Sequence, residues 1–286
     1  MHDVTVIGSL NLDVVIGLDR VPSAGETVLA TGQHLVPGGK GLNQAVACAR
    51  AGARTRMIGA VGDDDAAQLL LDAGAVSGVD VGGVRRVAGP SGTTWVMVQA
   101  DGDNAIVVHP GANGTLDGLG PDDLEAVEGS AVLVMQLEIP LAAVLSAALV
   151  ARSVGTTVVL NAAPARALPP PLLDAVDVLV VNEHEAAELG SAVGQARAVV
   201  VTLGAAGARL TDAAGTRAVA GIPATVVDTT GAGDAFTGYL AAGLASGLSL
   251  DDAVARAVVA GAIAVETPGA VPSIPVAESV DVRSRG

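Results

Sequence analysis

Short apolar runs alternate along the chain with Ala-rich segments of helical length. Residues 4–7, 57–60, 132–135, 157–160, 178–181 and 199–203 predict strands, and residues 42–51, 66–73, 141–152 and 234–245 predict helices between or after them. Strands separated by helices imply right-handed βαβ units and a mostly parallel sheet. The strands are apolar almost without alternation, which fits a sheet buried on both faces.

Two places break this rhythm. Residues 14–18 and 27–36 carry β-like side chains punctuated by Pro22 and Gly25, and residues 93–99 and 105–109 flank Asp101-Gly102, a hairpin turn signal. Four strands with no helices between them do not join a doubly wound sheet. They predict a small separate sheet, a lid formed by residues 13–37 and 92–109 inserted in one domain spanning 1–286. Its open edge and apolar face would be covered in a homodimer.

Composition narrows the picture. Half of the 286 residues are hydrophobic, yet Trp95, Phe236 and Tyr239 are the only aromatics, so the core is built from Ala, Val, Leu and Ile. A formal net charge of −15 excludes the basic patch that nucleic acid or an anionic membrane surface requires. The longest apolar stretch, residues 141–151, is too short to span a bilayer and is interrupted by Ser146. With one cysteine, Cys48, and no secretory signal before the first strand, a cytoplasmic protein is expected. Lys40 is the only lysine beside fourteen arginines. Codon usage accounts for the scarcity, but not for where the one lysine stands.

In open α/β sheets ligands bind just beyond the carboxyl ends of the strands. Here nearly every strand runs off into a polar group: Asn11 and Asp13, Gln136 and Glu138, Asn161, Asn182 and Glu185, Thr202 and Gly204. Asn11 and Asp13, two apart, would share one side of an extended segment. Any one of these is equally well an ordinary loop residue. Together they imply a site ringed by groups that bind hydroxyls and a metal.

Pro37-Gly38-Gly39-Lys40-Gly41-Leu42-Asn43 opens an Ala-rich helix. The spacing is neither a P-loop nor a dinucleotide fingerprint. Its glycines allow close backbone approach to a ligand, and Asn43 would face a sugar hydroxyl; a flexible turn before a helix would look similar. In the second motif, Asp228-Thr229-Thr230-Gly231-Ala232-Gly233-Asp234-Ala235-Phe236, a helix begins near Gly233. The N–H groups of Gly231, Ala232 and Gly233 would form an anion hole at its positive end. Asp234 in the first turn would favour the dipole, or accept a hydroxyl proton during phosphoryl transfer.

These two segments resemble the two signatures of the ribokinase (pfkB-type) carbohydrate kinases. The similarity runs nearly end to end through Gly8-Ser9-Leu10-Asn11-Leu12-Asp13, His109-Pro110-Gly111-Ala112-Asn113, Gln136-Leu137-Glu138, Asn161-Ala162-Ala163-Pro164, Asn182-Glu183-His184-Glu185 and Thr202-Leu203-Gly204. The resemblance implies a three-layer α/β/α sandwich with a small β lid, and ATP-dependent phosphorylation of a small sugar at a primary hydroxyl. D-ribose is the first expectation, fructose or a nucleoside the alternatives. A non-catalytic sugar-binding regulator would not need the complete base and anion hole.

Residue by residue, the resemblance makes Asp234 the base and Gly231, Ala232 and Gly233 the anion hole. Asn11, Asp13, Gly39, Lys40, Asn43 and Glu138 hold the sugar, with Lys40 alternatively positioning its loop. Asn182, Thr202, Gly204 and Gly233 face the nucleotide, and Glu185 holds Mg2+ through water. Asp228, Thr230, Ala264, Thr267, Gly269 and Ser273 form a K+ site. One departure is visible: between Glu188 and Val199 the chain is about one helix shorter than family members usually are. With so few aromatics, aliphatic walls must sandwich the adenine.

Overall fold

The computed structural model describes residues 3–99 and 104–285. The first half runs β1 (Val4–Ile7), β2 (Asn11–Leu18), β3 (Gly32–Gly38), α1 (Lys40–Arg50), β4 (Thr55–Val61), α2 (Asp65–Val76), β5 (Val79–Arg86), β6 (Gly92–Gln99) and β7 (Asn104–His109). There follow α3 (Pro121–Glu128), β8 (Val132–Met135), α4 (Leu141–Val154), β9 (Thr157–Asn161), α5 (Pro170–Ala175), β10 (Val178–Asn182), α6 (Glu183–Leu189) and β11 (Ala198–Thr202). The chain ends with β12 (Gly207–Asp212), β13 (Gly215–Ala220), α7 (Ala232–Ala245), α8 (Leu250–Ala264), α9 (Ala270–Ser273) and α10 (Ala277–Arg283).

Nine strands form one sheet in the order β13-β12-β11-β10-β9-β8-β1-β4-β5, parallel from β5 to β11 with an antiparallel pair at the far edge. Successive side chains enter opposite faces. Val132, Val134, Val178 and Val180 pack with α1, α7 and α8, whereas Leu133, Met135, Leu179 and Val181 pack with α4 and α5. Two aliphatic cores, one on each face, make the three-layer sandwich. The helices have local starts: Asp64 caps α2 by accepting from the Ala67 N–H at 3.0 Å, and Ser249 caps α8 through Asp252 N–H at 3.1 Å.

The remaining strands form the separate lid, in the order β3-β2-β6-β7. β2 pairs parallel with β6 and the other two pairs are antiparallel. The expected strand at 27–36 is shorter: β3 begins at Gly32, opposite Gly17, close to where β2 ends. Pairing with β2 stops at Thr31, whose N–H donates to the Gly17 carbonyl at 2.8 Å, and Glu26 closes a turn with Ser23. The Asp101-Gly102 turn lies outside the described residues. The short crossover after Glu188 consists of α6 and a single 3-10 turn, Gly190–Gln195. No helix among the described residues is long and apolar enough to cross a membrane.

Candidate active site

The site is assembled where α1 and α7 point their first turns at the carboxyl ends of β1, β8 and β9. Close approach requires the glycines. A Cβ on Gly41 would come within 2.5 Å of the Ser9 backbone nitrogen, and one on Gly238 within 2.3 Å of the Ala47 Cβ between the two helices. Gly39, the residue before α1, has φ 90°, a left-handed value that suits only glycine. Glu138 then fastens the loop: its Oε2 accepts from the Lys40 N–H at 3.1 Å and from the Ser9 hydroxyl.

Asp234 is 7% exposed, in the first turn of α7. Its Oδ2 accepts from Asn43 Nδ2 at 2.9 Å and its Oδ1 from Gln44 Nε2 at 2.8 Å. With its nitrogen committed to Asp234, buried Asn43 keeps Oδ1 as an acceptor without a partner among the described residues. An orphaned buried acceptor beside a carboxylate suits a ligand hydroxyl, which can donate to it.

Asp13, on β2, completes an unusual charge cluster. Burial pushes its carboxyl up to about 6, reinforced by Glu138 and Asp234 and opposed by a hydrogen bond with Thr94 and by Lys40. Burial alone would depress the Lys40 ammonium, yet Asp234, Glu138, Glu185 and Asp13 together carry it above the ordinary lysine value. The only lysine thus stands as the cation among four carboxylates. Asn11 shares the lid strand with Asp13, but its carboxamide is largely engaged, donating to Thr94 Oγ1 at 3.3 Å and accepting from Asn113 Nδ2 at 2.7 Å.

Asp234 borders the smaller of two adjoining cavities. The smaller, about 210 Å³, is polar and is bordered by Lys40, Asn161, Asn182, Glu185, Gly231 and Asp234. The larger, about 550 Å³, is walled mainly by aliphatic groups, among them Ile222, Pro223, Val226, Val258 and Val265; Thr202, Thr229 and Gly233 border both, and Gly204 only the larger. Asn182 and Glu185 form a reciprocal cap on α6, each side chain accepting from the other's N–H at 2.8 Å. At the start of α7, Gly231 has φ 77°, and a Cβ there would lie 2.8 Å from Ala270 Cα. The N–H groups of Gly231 and Gly233 find no acceptor among the described residues. That of Ala232 is turned toward the Thr229 carbonyl at 3.3 Å, so it is less available than its neighbours.

Asp228 lies behind this loop. Its Oδ1 accepts from the Thr230 N–H at 2.9 Å and the Thr230 hydroxyl at 2.6 Å, and its Oδ2 from the Gly269 N–H at 2.8 Å. Burial would raise its carboxyl, but these bonds hold it below the usual range. The segments 228–231 and 264–273 are therefore already tied together by Asp228, while the Ser273 hydroxyl donates to the Ala270 carbonyl at 2.8 Å.

Sequence reasoning overlooked several contributors. Gln44 carried a signal, standing next to Asn43 at the helix start. Gln136 and Asn161 stood out at strand ends without an assigned partner. The wall at 222–226 is an irregular segment with no motif, and only the fold brings it against α8.

The chain matches the pfkB family carbohydrate kinase profile over residues 1–277. It is 37% identical to the ribokinase of Lactococcus lactis over 96% of this chain and 94% of that protein, and 36% identical to that of Bacillus subtilis over 98% and 99%. The structure of Arabidopsis thaliana ribokinase complexed with ribose and ATP superimposes with a TM-score of 0.94 at 32% identity, covering 100% of this chain and 99% of that one. The chain belongs to the pfkB family of carbohydrate kinases, and it is an ATP-dependent sugar kinase.

Proposed function

We propose that the chain phosphorylates D-ribose at its primary hydroxyl, giving D-ribose 5-phosphate and ADP. The observation that carries this is Asp234, clamped by Asn43 and Gln44 at the border of a polar cavity that adjoins, through Thr202, Thr229 and Gly233, an aliphatic cavity large enough for a nucleoside. The similar ribokinases, one of them solved with ribose and ATP, support the choice of sugar.

In this mechanism Asp13, Asn43, Glu138, Lys40, Gly39 and the free N–H of Asn11 hold the sugar hydroxyls, and the lid excludes water. Asp234 takes the proton of the primary hydroxyl as its oxygen attacks the γ-phosphorus and the bond to the β-phosphate oxygen breaks. The N–H groups of Gly231 and Gly233, with that of Ala232 as a weaker third, stabilise charge on the transferring phosphoryl group. Thr202 and Gly204 face the nucleotide, and the aliphatic wall takes the adenine.

Asn182 and Glu185 fit a role in holding Mg2+ through water, since both border the polar cavity and present oxygen. Mg2+ bound there would neutralise phosphate charge. Asp228, Thr230, Ala264, Thr267, Gly269 and Ser273 offer oxygen donors only, which suits K+, and a cation among them would brace the loop carrying the anion hole. The expected result is a higher kcat in potassium than in a potassium-free Tris buffer. Equal kcat with potassium, sodium or neither would refute this site.

A screen of ADP release over ribose, deoxyribose, fructose, adenosine and fructose phosphates tests the substrate. Ribose should give the highest kcat/KM, because a site built to bond hydroxyls rejects analogues that lack or misplace them. Adenosine is disfavoured, since Trp95, 37% exposed, is the only lid aromatic available to stack on a base. If fructose or adenosine exceeds ribose about tenfold, the ribose assignment fails and the family membership stands.

Ile106 and Val108 are exposed on the lid face that carries Asp13, and on the opposite face Leu35, Trp95 and Val107 are exposed side by side in register. Such a patch on a four-stranded sheet favours a homodimer through the lid. Light scattering should give twice the monomer mass at micromolar concentration; a monomer there rules the dimer out.

A further inference from the structure

We propose that Gln44 is the positioning residue for the base, and that its own orientation is dictated by Gln136 and Asn161. This rests on Asp234 acting as the base. Gln44 Nε2 donates to Asp234 Oδ1 at 2.8 Å and to Asn161 Oδ1 at 3.0 Å, while its Oε1 accepts from Gln136 Nε2 at 2.7 Å.

An ionised carboxylate only accepts, so the nitrogen end of Gln44 must face it. Asn161 Nδ2 donates to the Val180 carbonyl at 3.2 Å, which turns its oxygen toward Gln44. Gln136 then has to present its nitrogen to Gln44 Oε1. Each amide fixes the next, and the chain of bonds ends on the backbone of β10. Gln44 and Gln136 are fully buried, and Asn161 nearly so.

The arrangement has a cost that a purely structural network would avoid. Gln136 Oε1 is buried with no partner among the described residues, and a Cβ on Gly8 would fall 1.9 Å from it. Aliphatic side chains at 44 and 136 would bring no unpaired atom of their own into this space. What they would lose is a fixed N–H aimed at Asp234. The second such N–H comes from Asn43, whose other end is left for the sugar. Of the two, Gln44 is the one whose amide nitrogen and oxygen are both engaged by the protein, with no end left for the substrate.

The test compares Gln44→Leu and Gln136→Met, each alone and in an Asp234→Asn background, by steady-state kinetics with ribose and ATP across pH. Gln44→Leu is expected to lower kcat ~10–100-fold with both KM values within ~3-fold. Gln136→Met, one bond further from the base, should lower kcat ~2–10-fold in the same pattern. In the Asp234→Asn background neither should cause a further loss, because the group they position is gone. A Gln44→Leu enzyme with kcat within ~2-fold of wild type, a loss confined to KM, or an equal further loss without Asp234 would each overturn the proposal. If Gln44→Leu does not fold, Gln136→Met decides by the same criteria. A fully active Asp234→Asn enzyme would instead defeat the base assignment, whereas an inactive one beside a normal Gln44→Leu enzyme defeats only the clamp.

Discussion

Asp234→Asn is expected to lower kcat by about 10²–10⁴-fold while ribose affinity stays within a few-fold of wild type. The two substrates would still be bound by their own contacts, with the anion hole intact, but nothing would accept the hydroxyl proton. The substitution also has a structural cost. Asn43 and Gln44 each donate to one oxygen of Asp234, so an amide nitrogen in place of either oxygen sets donor against donor. Leaving one buried donor unpaired costs about 1–3 kcal/mol. Kinetics, sugar titration by calorimetry and thermal unfolding together separate the two effects. A variant that keeps more than half of wild-type kcat is incompatible with Asp234 as the base.

The second large effect falls on Asp13, and its sign differs between binding and stability. Asp13→Ala should raise the KM for ribose by about 10²-fold or more, since an ionised carboxylate accepting two hydroxyls loses about 1.5–3 kcal/mol per bond when removed. The same change should stabilise the free protein near neutral pH. The Asp13 carboxyl lies at about 6 in the fold, above its ordinary 3.8. Between those values the folded chain holds a proton that the unfolded chain has released. Stability is therefore fully present below the unfolded value and is lost as pH rises through about 6, by on the order of 2–3 kcal/mol.

Ribose hydroxyls donating to Asp13, as proposed above, need its ionised form, so in the wild type KM should rise as pH falls below about 6, by at most tenfold per pH unit. Binding in that range should release a proton, visible in calorimetry as a heat that depends on the buffer. A KM that stays flat from about pH 5 to 8 would remove Asp13 from sugar recognition.

The sandwich was legible in the sequence because each central strand is a short aliphatic run whose alternate residues serve two cores, as at Val132–Met135 and Val178–Asn182. Such runs identify themselves without tertiary information. The antiparallel edge strands β12 and β13 did not stand out. β13 is the edge strand with no buried position, and in β12 beside it only Ala208 and Leu210 bring apolar side chains to the core, so the apolar signal is thin. α8 escaped for a different reason: it follows α7 directly, with no strand between them to mark its start.

For the site, glycine placement and the helix start at Asp234 were local facts, written in consecutive residues and so available to inspection. Asn43 and Asp234 could be named, but not joined. Their 2.9 Å bond spans 191 positions and exists only because Gly238 lets α7 lie against Ala47 of α1. The clamp by Gln44 and the raised carboxyl of Asp13 are of the same kind, since each depends on burial and on neighbours from separate elements. The sequence by itself determined which chemistry-bearing side chains end the strands and begin the helices. The tertiary structure decided which of them share protons and charge, because hydrogen bonds and desolvation act across a few ångströms of space, whatever the distance along the chain.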